Sequence, residues 1–279
     1  MDPKFTSLRQ QLATCYPERE AHAVALRVLE DAFGVSRTDV YADKVRKFSS
    51  EEEQRWQHIA NRLCAGEPLQ YVLGEAEFCG RSFGVAPGVL IPRPETEELV
   101  ALVEQSVSGR CRILDAGTGS GCIAVSLALA LPEAEVQAWD VSPEALSVAR
   151  SNAERWGAAV DFRLCDMLTA TPDERFDVVV SNPPYVCERE RLGMTPQVLD
   201  HEPALALFVP DDDPLRFYRA LAALACRCLN PGGLLAVEIN EAYGVETAAL
   251  FSHSGLVGVQ TVSDVFGKPR FVVGKRAKN

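Results

Sequence analysis

Apolar positions in the first seventy residues recur at helical spacing. In EREAHAVALRVLEDAFG (residues 18–34), Val24 and Val28 share a face, Leu29 and Phe33 continue it at i+4, and Gly34 supplies a stop. In SSEEEQRWQHIANRLCAG (49–66), Trp56, Ile59, Ala60 and Leu63 form one stripe, the pattern of a helix packed on a core. Ser50 and Glu53 stand at capping-box spacing, the acids at 51–53 suit the positive end of a helix dipole, and Gly66 and Pro68 end the element. These segments predict a small helical domain over residues 1–71.

The pattern changes at residue 72. In VLGEAEFCGRSFGVAPGVLIP (72–92), glycines at 74, 80, 84 and 88 separate short apolar pieces, which predicts a β-hairpin or extended connector at a domain junction. From 93 to 279 strand and helix patterns alternate. A helix over about 95–107 precedes the strand RILDA, and CIAVSLALAL leads to EVQAW. Ser142-Pro143-Glu144 opens a further helix, followed by the strands VDFRL and FDVVVS. A helix opened by Asp213-Pro214, the strand LLAVEI, a helix near 244–253 and the strands GVQTV and RFVVG complete the chain. Alternation of this kind predicts an α/β domain whose parallel sheet is covered on both faces. Such sheets bind ligands beyond the C-terminal ends of their strands, so the residues after each strand are the ones to inspect.

Composition narrows the function classes. The 279 residues are 47% apolar and carry a net charge of −11, which argues against a tight grip on long nucleic acid. No apolar run has the length of a membrane span, and the N-terminal segment lacks the apolar stretch of a signal peptide, so a cytoplasmic protein is expected. The nine cysteines form no CxxC pair and are read as reduced thiols; His22, His58, His201 and His253 stand alone, and no metal site is expected.

The first strand runs into Asp115-Ala116-Gly117-Thr118-Gly119-Ser120-Gly121. Glycine at every second position permits a tight turn and close approach of a ligand to the backbone. A Walker loop is excluded because no Gly-Lys-Ser/Thr follows, and the third glycine comes one residue early for a dinucleotide fingerprint. A nucleoside cofactor without a pyrophosphate remains: Asp115 repels phosphate and suits a cationic amino-acid tail. Asp140 ends the second strand about 20 residues beyond the glycines, where an acid holds ribose hydroxyls. After the third strand, Asp166 suits an adenine amino group and Met167 its ring. Amino-acid tail, ribose and purine together outline S-adenosylmethionine. After the fourth strand comes Asn182-Pro183-Pro184-Tyr185.

DAGTGSGC, WDVSPEAL, CDM and SNPPY in this order resemble a class I methyltransferase of the seven-stranded Rossmann-like type. GEPLQYVLGEAEFCGRSFGVAPGVLIPRPETEELV resembles the inter-domain hairpin and IPRPETE loop (91–97) of one family, the release-factor glutamine methyltransferases, or HemK-like enzymes. The resemblance covers nearly the whole chain. It implies a Rossmann-like domain, an N-terminal helical-bundle domain that binds substrate, and a β-hairpin linker. It also implies methylation, by S-adenosylmethionine, of the side-chain amide nitrogen (N5) of the glutamine in the Gly-Gly-Gln motif of class 1 peptide-chain release factors, with S-adenosylhomocysteine as product. By the same resemblance Gly117 to Gly121, with Thr118 and Ser120 between, Asp140 and Asn182 contact the cofactor, and Arg93 or Glu95 shapes the substrate channel. Met167 departs from the family, which often has a large aromatic there.

The chemistry fits the motif. An amide nitrogen is a poor nucleophile, and its NH2 offers two donors; the Asn182 side-chain oxygen and the Pro183 carbonyl offer two acceptors. Both accepting at once orient the nitrogen, proline rigidity aims the carbonyl, and Tyr185 supplies a flat wall. Asn182, Pro183 and Tyr185 are therefore the expected catalytic residues, with Pro184 joining them in binding substrate. No general base is evident, and the proton is expected to leave to water. Cys187 lacks an activating partner in the sequence. An adenine N6-methyltransferase is the alternative, because adenine presents the same planar NH2, and a non-catalytic binding module ranks last. A monomer is expected, with no membrane and no stable nucleic-acid partner.

Overall fold

Asp2 starts the first helix: its carboxylate accepts the backbone N–H of Lys4 at 2.8 Å, and Pro3, which has no N–H, fills the first helical position. The structure is a computed structural model and describes residues 2–278. Helices α1 (Pro3–Leu12), α2 (Glu18–Phe33), α3 (Arg37–Tyr41), α4 (Ser50–Cys64) and α5 (Leu69–Leu73) follow in order. The expected stripes are buried: Val24, Val28, Leu29 and Phe33 of α2 pack with Trp56, Ile59, Ala60 and Leu63 of α4 and with Phe5, Leu8 and Leu12 of α1. The capping box of α4 lies one residue earlier than the sequence suggests. Ser49 is still extended, so its hydroxyl accepts the Glu52 N–H at 3.2 Å while Glu52 accepts the Ser49 N–H at 2.8 Å. Ser50 is already helical, and Glu53 pairs with Lys4 at 2.6 Å instead. Helix α5 also carries through Val72 and Leu73, because Tyr71 and Val72 are buried there and Gly74 ends it.

Strands β1 (Glu75–Phe78) and β2 (Arg81–Gly84) form a two-stranded hairpin. The larger body follows: α6 (Pro94–Ser106), β3 (Arg112–Ala116), α7 (Cys122–Ala130), β4 (Glu135–Asp140), α8 (Pro143–Trp156), β5 (Val160–Leu164) and β6 (Phe176–Ser181). Next come β7 (Val186–Cys187), a 3-10 turn (Glu188–Gly193), α9 (Pro196–His201), α10 (Ala204–Leu207) and β8 (Phe208–Val209). The chain closes with α11 (Arg216–Cys228), β9 (Leu229–Glu238), a 3-10 turn (Glu241–Tyr243), α12 (Gly244–His253), β10 (Leu256–Ser263) and β11 (Pro269–Arg276). Residues up to Glu75 together with Thr195–His201 form one unit; Ala76–Met194 and Glu202 onward form the other.

The second unit is a three-layer α/β body. Its seven-stranded sheet has the order β10-β11-β9-β6-β3-β4-β5. The strands from β9 to β5 are parallel, while β11 runs antiparallel to β9 and β10 antiparallel to β11, so the sheet is mixed rather than wholly parallel. Alternate residues of the central strands go to opposite faces. Ile113, Val178 and Val180 meet Leu99, Val103 and Ile123 of α6 and α7, whereas Leu114, Val179 and Val237 meet Leu221, Ala225 and Phe251 of α11 and α12. Burial on both faces explains the unbroken valines of β6. The chain proceeds from β3 outward to β4 and β5, then returns to β6 on the other side of β3. That reversal opens a crevice between the ends of β3 and β6.

Candidate active site

Asp115 is the penultimate residue of β3, inside the sheet, and is fully buried. Its Oδ2 accepts the Thr118 hydroxyl at 2.6 Å. Its Oδ1 meets no hydrogen bond of good geometry, although the first turn of α7, at Ala124, turns its N–H toward the carboxylate. Burial pushes this carboxyl up to about 7, against the Thr118 hydrogen bond and with the nearby Asp140 charge adding to the rise. The glycine loop then folds over the end of β4: the N–H groups of Gly117 and Thr118 donate to the Trp139 carbonyl at 2.8 and 2.9 Å. Gly117 and Gly121 have φ of 81° and 80°, in the left-handed region. A Cβ on Gly117 would stand 2.8 Å from the Met167 methyl, and one on Gly121 3.0 Å from the Ala149 Cβ of α8. The first glycine thus admits Met167 across the loop, and the last lets α8 pack against it.

The carboxylate of Asp140 accepts the Gly119 N–H at 2.8 Å and the Ser142 N–H at 2.9 Å, which fixes it at the cavity wall. Asp166 accepts the Leu168 N–H at 2.9 Å. Gly117, Thr118, Gly119 and Ser120 line one cavity with Asp140, Asp166, Met167, Asn182 and Pro184. Asp115, Gly121, Pro183 and Tyr185 stand outside its lining. Asp115 and Pro183 are buried, and Gly121, at the end of the loop, is buried against α8.

Asn182 follows β6, whose last residue Ser181 bonds the Ala116 carbonyl at 2.5 Å and so ties β6 to the start of the glycine loop. The Asn182 Nδ2 donates to the Thr96 hydroxyl at 3.1 Å, and Thr96 in turn donates to Glu238 at 2.6 Å. The Tyr185 hydroxyl donates to the other Glu238 oxygen at 2.9 Å. Tyr185 is therefore held by its polar end, inside a packed layer under the site, and burial raises its pKa well above the usual phenol value. Burial also raises the Glu238 pKa, while the Thr96 and Tyr185 hydroxyls and the charge of Arg270 oppose the rise. Neither the Asn182 Oδ1 nor the Pro183 carbonyl accepts a hydrogen bond among the described residues.

The IPRPETE segment forms another wall. Arg93 lines the cavity and is paired with Glu202 at 2.7 Å; Glu202 also accepts the Ile91 N–H at 3.2 Å. Thr96 lines the cavity, and Glu95 does not. Cys187 is buried, its thiol is pushed up by burial, and it lies outside the lining. Four residues escaped the sequence reading. Thr96 sat in a segment read for its charges, and Glu238 was one acid in an apolar strand, a signal for a buried functional carboxylate. Asn152 bonds the Ser120 carbonyl at 2.8 Å and both polar groups of the Gly84 backbone, joining glycine loop to hairpin. Glu202 carried no local signal.

The lining suits a cationic nucleoside. Among the described residues its charged members are Asp140, Asp166 and the neutralised Arg93, so a phosphate meets acids and a sulfonium or ammonium meets complementary charge. The incompletely bonded Asp115 adds a buried carboxylate behind the loop. Apolar walls from Val89, Leu90, Ala206 and Phe217 cover the remainder.

Comparisons with known proteins agree with this geometry. The Methyltransferase small domain family matches residues 95–201, and the PrmC N-terminal domain family matches residues 5–74. A release factor glutamine methyltransferase of Bacteroides thetaiotaomicron is 48% identical over 96% of this chain and 98% of its own. Another, of Flavobacterium psychrophilum, is 38% identical over 96% of both chains. A methyltransferase of Pyrococcus furiosus superposes with a TM-score of 0.55 at 20% identity, over 82% of this chain and all of its own, a likeness of fold. With 48% identity over nearly its whole length to one such relative, the chain belongs to the release factor glutamine methyltransferase family of S-adenosylmethionine-dependent enzymes.

Proposed function

We propose that this chain transfers the methyl group of S-adenosylmethionine to the side-chain amide nitrogen of the glutamine in the Gly-Gly-Gln motif of class 1 peptide-chain release factors. The carrying observation is the hydrogen-bond state of the Asn-Pro-Pro-Tyr turn. The Asn182 NH2 is engaged by Thr96, while the Asn182 Oδ1 and the Pro183 carbonyl remain open acceptors. A planar NH2 has two donors to give: the Asn182 oxygen, on a residue of the cavity wall, takes one, and the carbonyl of the buried Pro183, just behind that wall, takes the other as the amide seats against the turn. Accepting both protons holds the nitrogen with its lone pair turned outward and raises its electron density.

The cofactor supplies an electrophilic methyl on a sulfonium. Gly117 to Gly121 receive it along their backbone, Asp140 holds its ribose hydroxyls, and Asp166 and Met167 take its adenine. Asp115 acts from behind the loop through its charge. Pro184 lines the cavity beside Asn182, and Tyr185 braces the turn from below. The released proton leaves to water.

The helical part over residues 1–71 binds the protein substrate, and the 72–92 segment is its linker to the catalytic part over residues 93–279. The enzyme works as a monomer in the cytoplasm and needs no nucleic acid; among the described residues no helix is long and apolar enough to cross a membrane. The net charge of −11 disfavours DNA over a protein substrate. The test is a labelled-methyl assay on a release factor, its Gln→Ala variant in the Gly-Gly-Gln motif, and DNA. Label is expected on the first alone; labelled DNA beside an unlabelled release factor overturns the reading.

A further inference from the structure

Thr96 lies in the first turn of α6 and Glu238 ends β9; both are buried, and their hydrogen bonds have a direction. The Thr96 hydroxyl donates its single proton to the Glu238 Oε2, at 2.6 Å. The other oxygen takes the Tyr185 proton, at 2.9 Å. Having given its proton away, Thr96 offers Asn182 only a lone pair. The part of the Asn182 amide that meets it at 3.1 Å is therefore the NH2, and the oxygen is left as the free end. An asparagine amide is nearly the same shape when turned over, so packing alone selects its orientation poorly. Turned over, it would set a donor against the donors of a substrate NH2.

We infer that Thr96 and Glu238 are positioning residues, which hold Asn182 in the one amide orientation that presents its oxygen to the substrate nitrogen. This deepens the function proposed above and rests on it, because an NH2 substrate is what requires an acceptor there. Tyr185 completes the arrangement by occupying the second carboxylate oxygen. The relay joins three distant stretches, the IPRPETE segment, the turn after β6 and the end of β9, so each stretch is held in place by the other two.

The test uses the full-length protein with Thr96→Val, Thr96→Ser or Glu238→Gln. Methyl transfer to a release factor is measured at saturating cofactor, and cofactor Kd separately by calorimetry. Thr96→Val keeps the volume and removes the proton; Glu238→Gln keeps the volume and replaces an acceptor by a donor. Each is expected to lower kcat by about 10- to 100-fold, with cofactor Kd within about threefold of the wild-type value. Thr96→Ser keeps the hydroxyl and is expected to hold kcat within about threefold of wild type. A merely structural role predicts the opposite order, since Ser deletes a buried methyl and Val does not. Unchanged kcat in Thr96→Val or Glu238→Gln overturns the inference, as does a Thr96→Ser enzyme no better than Thr96→Val. Should Thr96→Val fail to fold, Glu238→Gln and Thr96→Ser decide the matter. A wild-type enzyme that labels DNA and not the release factor overturns the functional reading itself, whatever the variants do.

Discussion

Asp115 is ionised only at a cost, because it is fully buried and one of its oxygens lacks a hydrogen bond of good geometry. Its carboxyl titrates at about 7 when folded, against roughly 4 when unfolded. Between those values the native state binds the extra proton, so this group's contribution to stability is full below the unfolded value and is lost as pH rises through the folded one. Asp115→Asn is therefore expected to raise Tm at pH 8 and to leave it little changed at pH 4, which melting curves at the two pH values check. A bound cation favours the ionised carboxyl, so cofactor affinity is expected to rise as pH passes through about 7. That dependence should vanish in Asp115→Asn; calorimetric titration from pH 6 to 8 measures it. At Asn182 the charge is unchanged and the geometry is lost. Asn182→Ala is expected to lower methyl transfer by about 100-fold or more while cofactor binding stays measurable, and normal turnover would refute its assigned role.

Strands, helices and loops were legible to different degrees. The valine run of β6 and the alternation of strand with helix are dictated by burial on two faces, and β3, β4, β5 and β6 begin and end within a residue of where the expected runs do, whereas β9 starts five residues before its apolar run, at Leu229. The segment from 186 to 209 was not legible. Its two strands have two residues each and its helices six and four, too short for any periodicity to accumulate. The direction of β10 and β11 was hidden for another reason, since an apolar run records burial and not polarity. The glycine loop was legible because its conformation requires glycine. At Gly121 the left-handed φ and the Ala149 contact at 3.0 Å act together. Gly121→Ala is expected to destabilise the fold by about 1–3 kcal/mol and to weaken cofactor binding. Urea unfolding beside a cofactor titration reads both, and wild-type values in both would show that the packing of α8 against the loop is slack.

At the scale of the whole molecule, the helical unit and the α/β unit each bury a core of their own. Trp56 is central to the first, 7% exposed and in edge contact with Phe33 at 5.6 Å. Trp56→Ala is expected to cost the helical unit about 3–5 kcal/mol. Cofactor Kd should not change, and KM for a release factor should rise. Calorimetric melting, a cofactor titration and steady-state kinetics on the intact protein separate these effects; an unchanged KM would remove the helical unit from substrate binding.

By itself the sequence determined what local rules control. Helical stripes and strand runs follow from which side chains must leave water. The glycine loop follows from backbone angles that only glycine adopts readily, and the acids at the C-terminal ends of β3, β4 and β5 follow from the habit of open sheets to bind at strand ends. Only the tertiary structure decided which distant residues meet. Thr96, Tyr185, Asn182 and Glu238 share one hydrogen-bonded relay across 142 residues of chain, and Glu202 reaches Arg93 across 109. No spacing encodes such contacts, because they arise when the sheet brings its strand ends together. A buried hydroxyl or carboxylate there must find its partner wherever the fold has put one. The Asn-Pro-Pro-Tyr turn was visible as an acceptor of NH2 groups; the reason its asparagine can present an oxygen lies on two other elements.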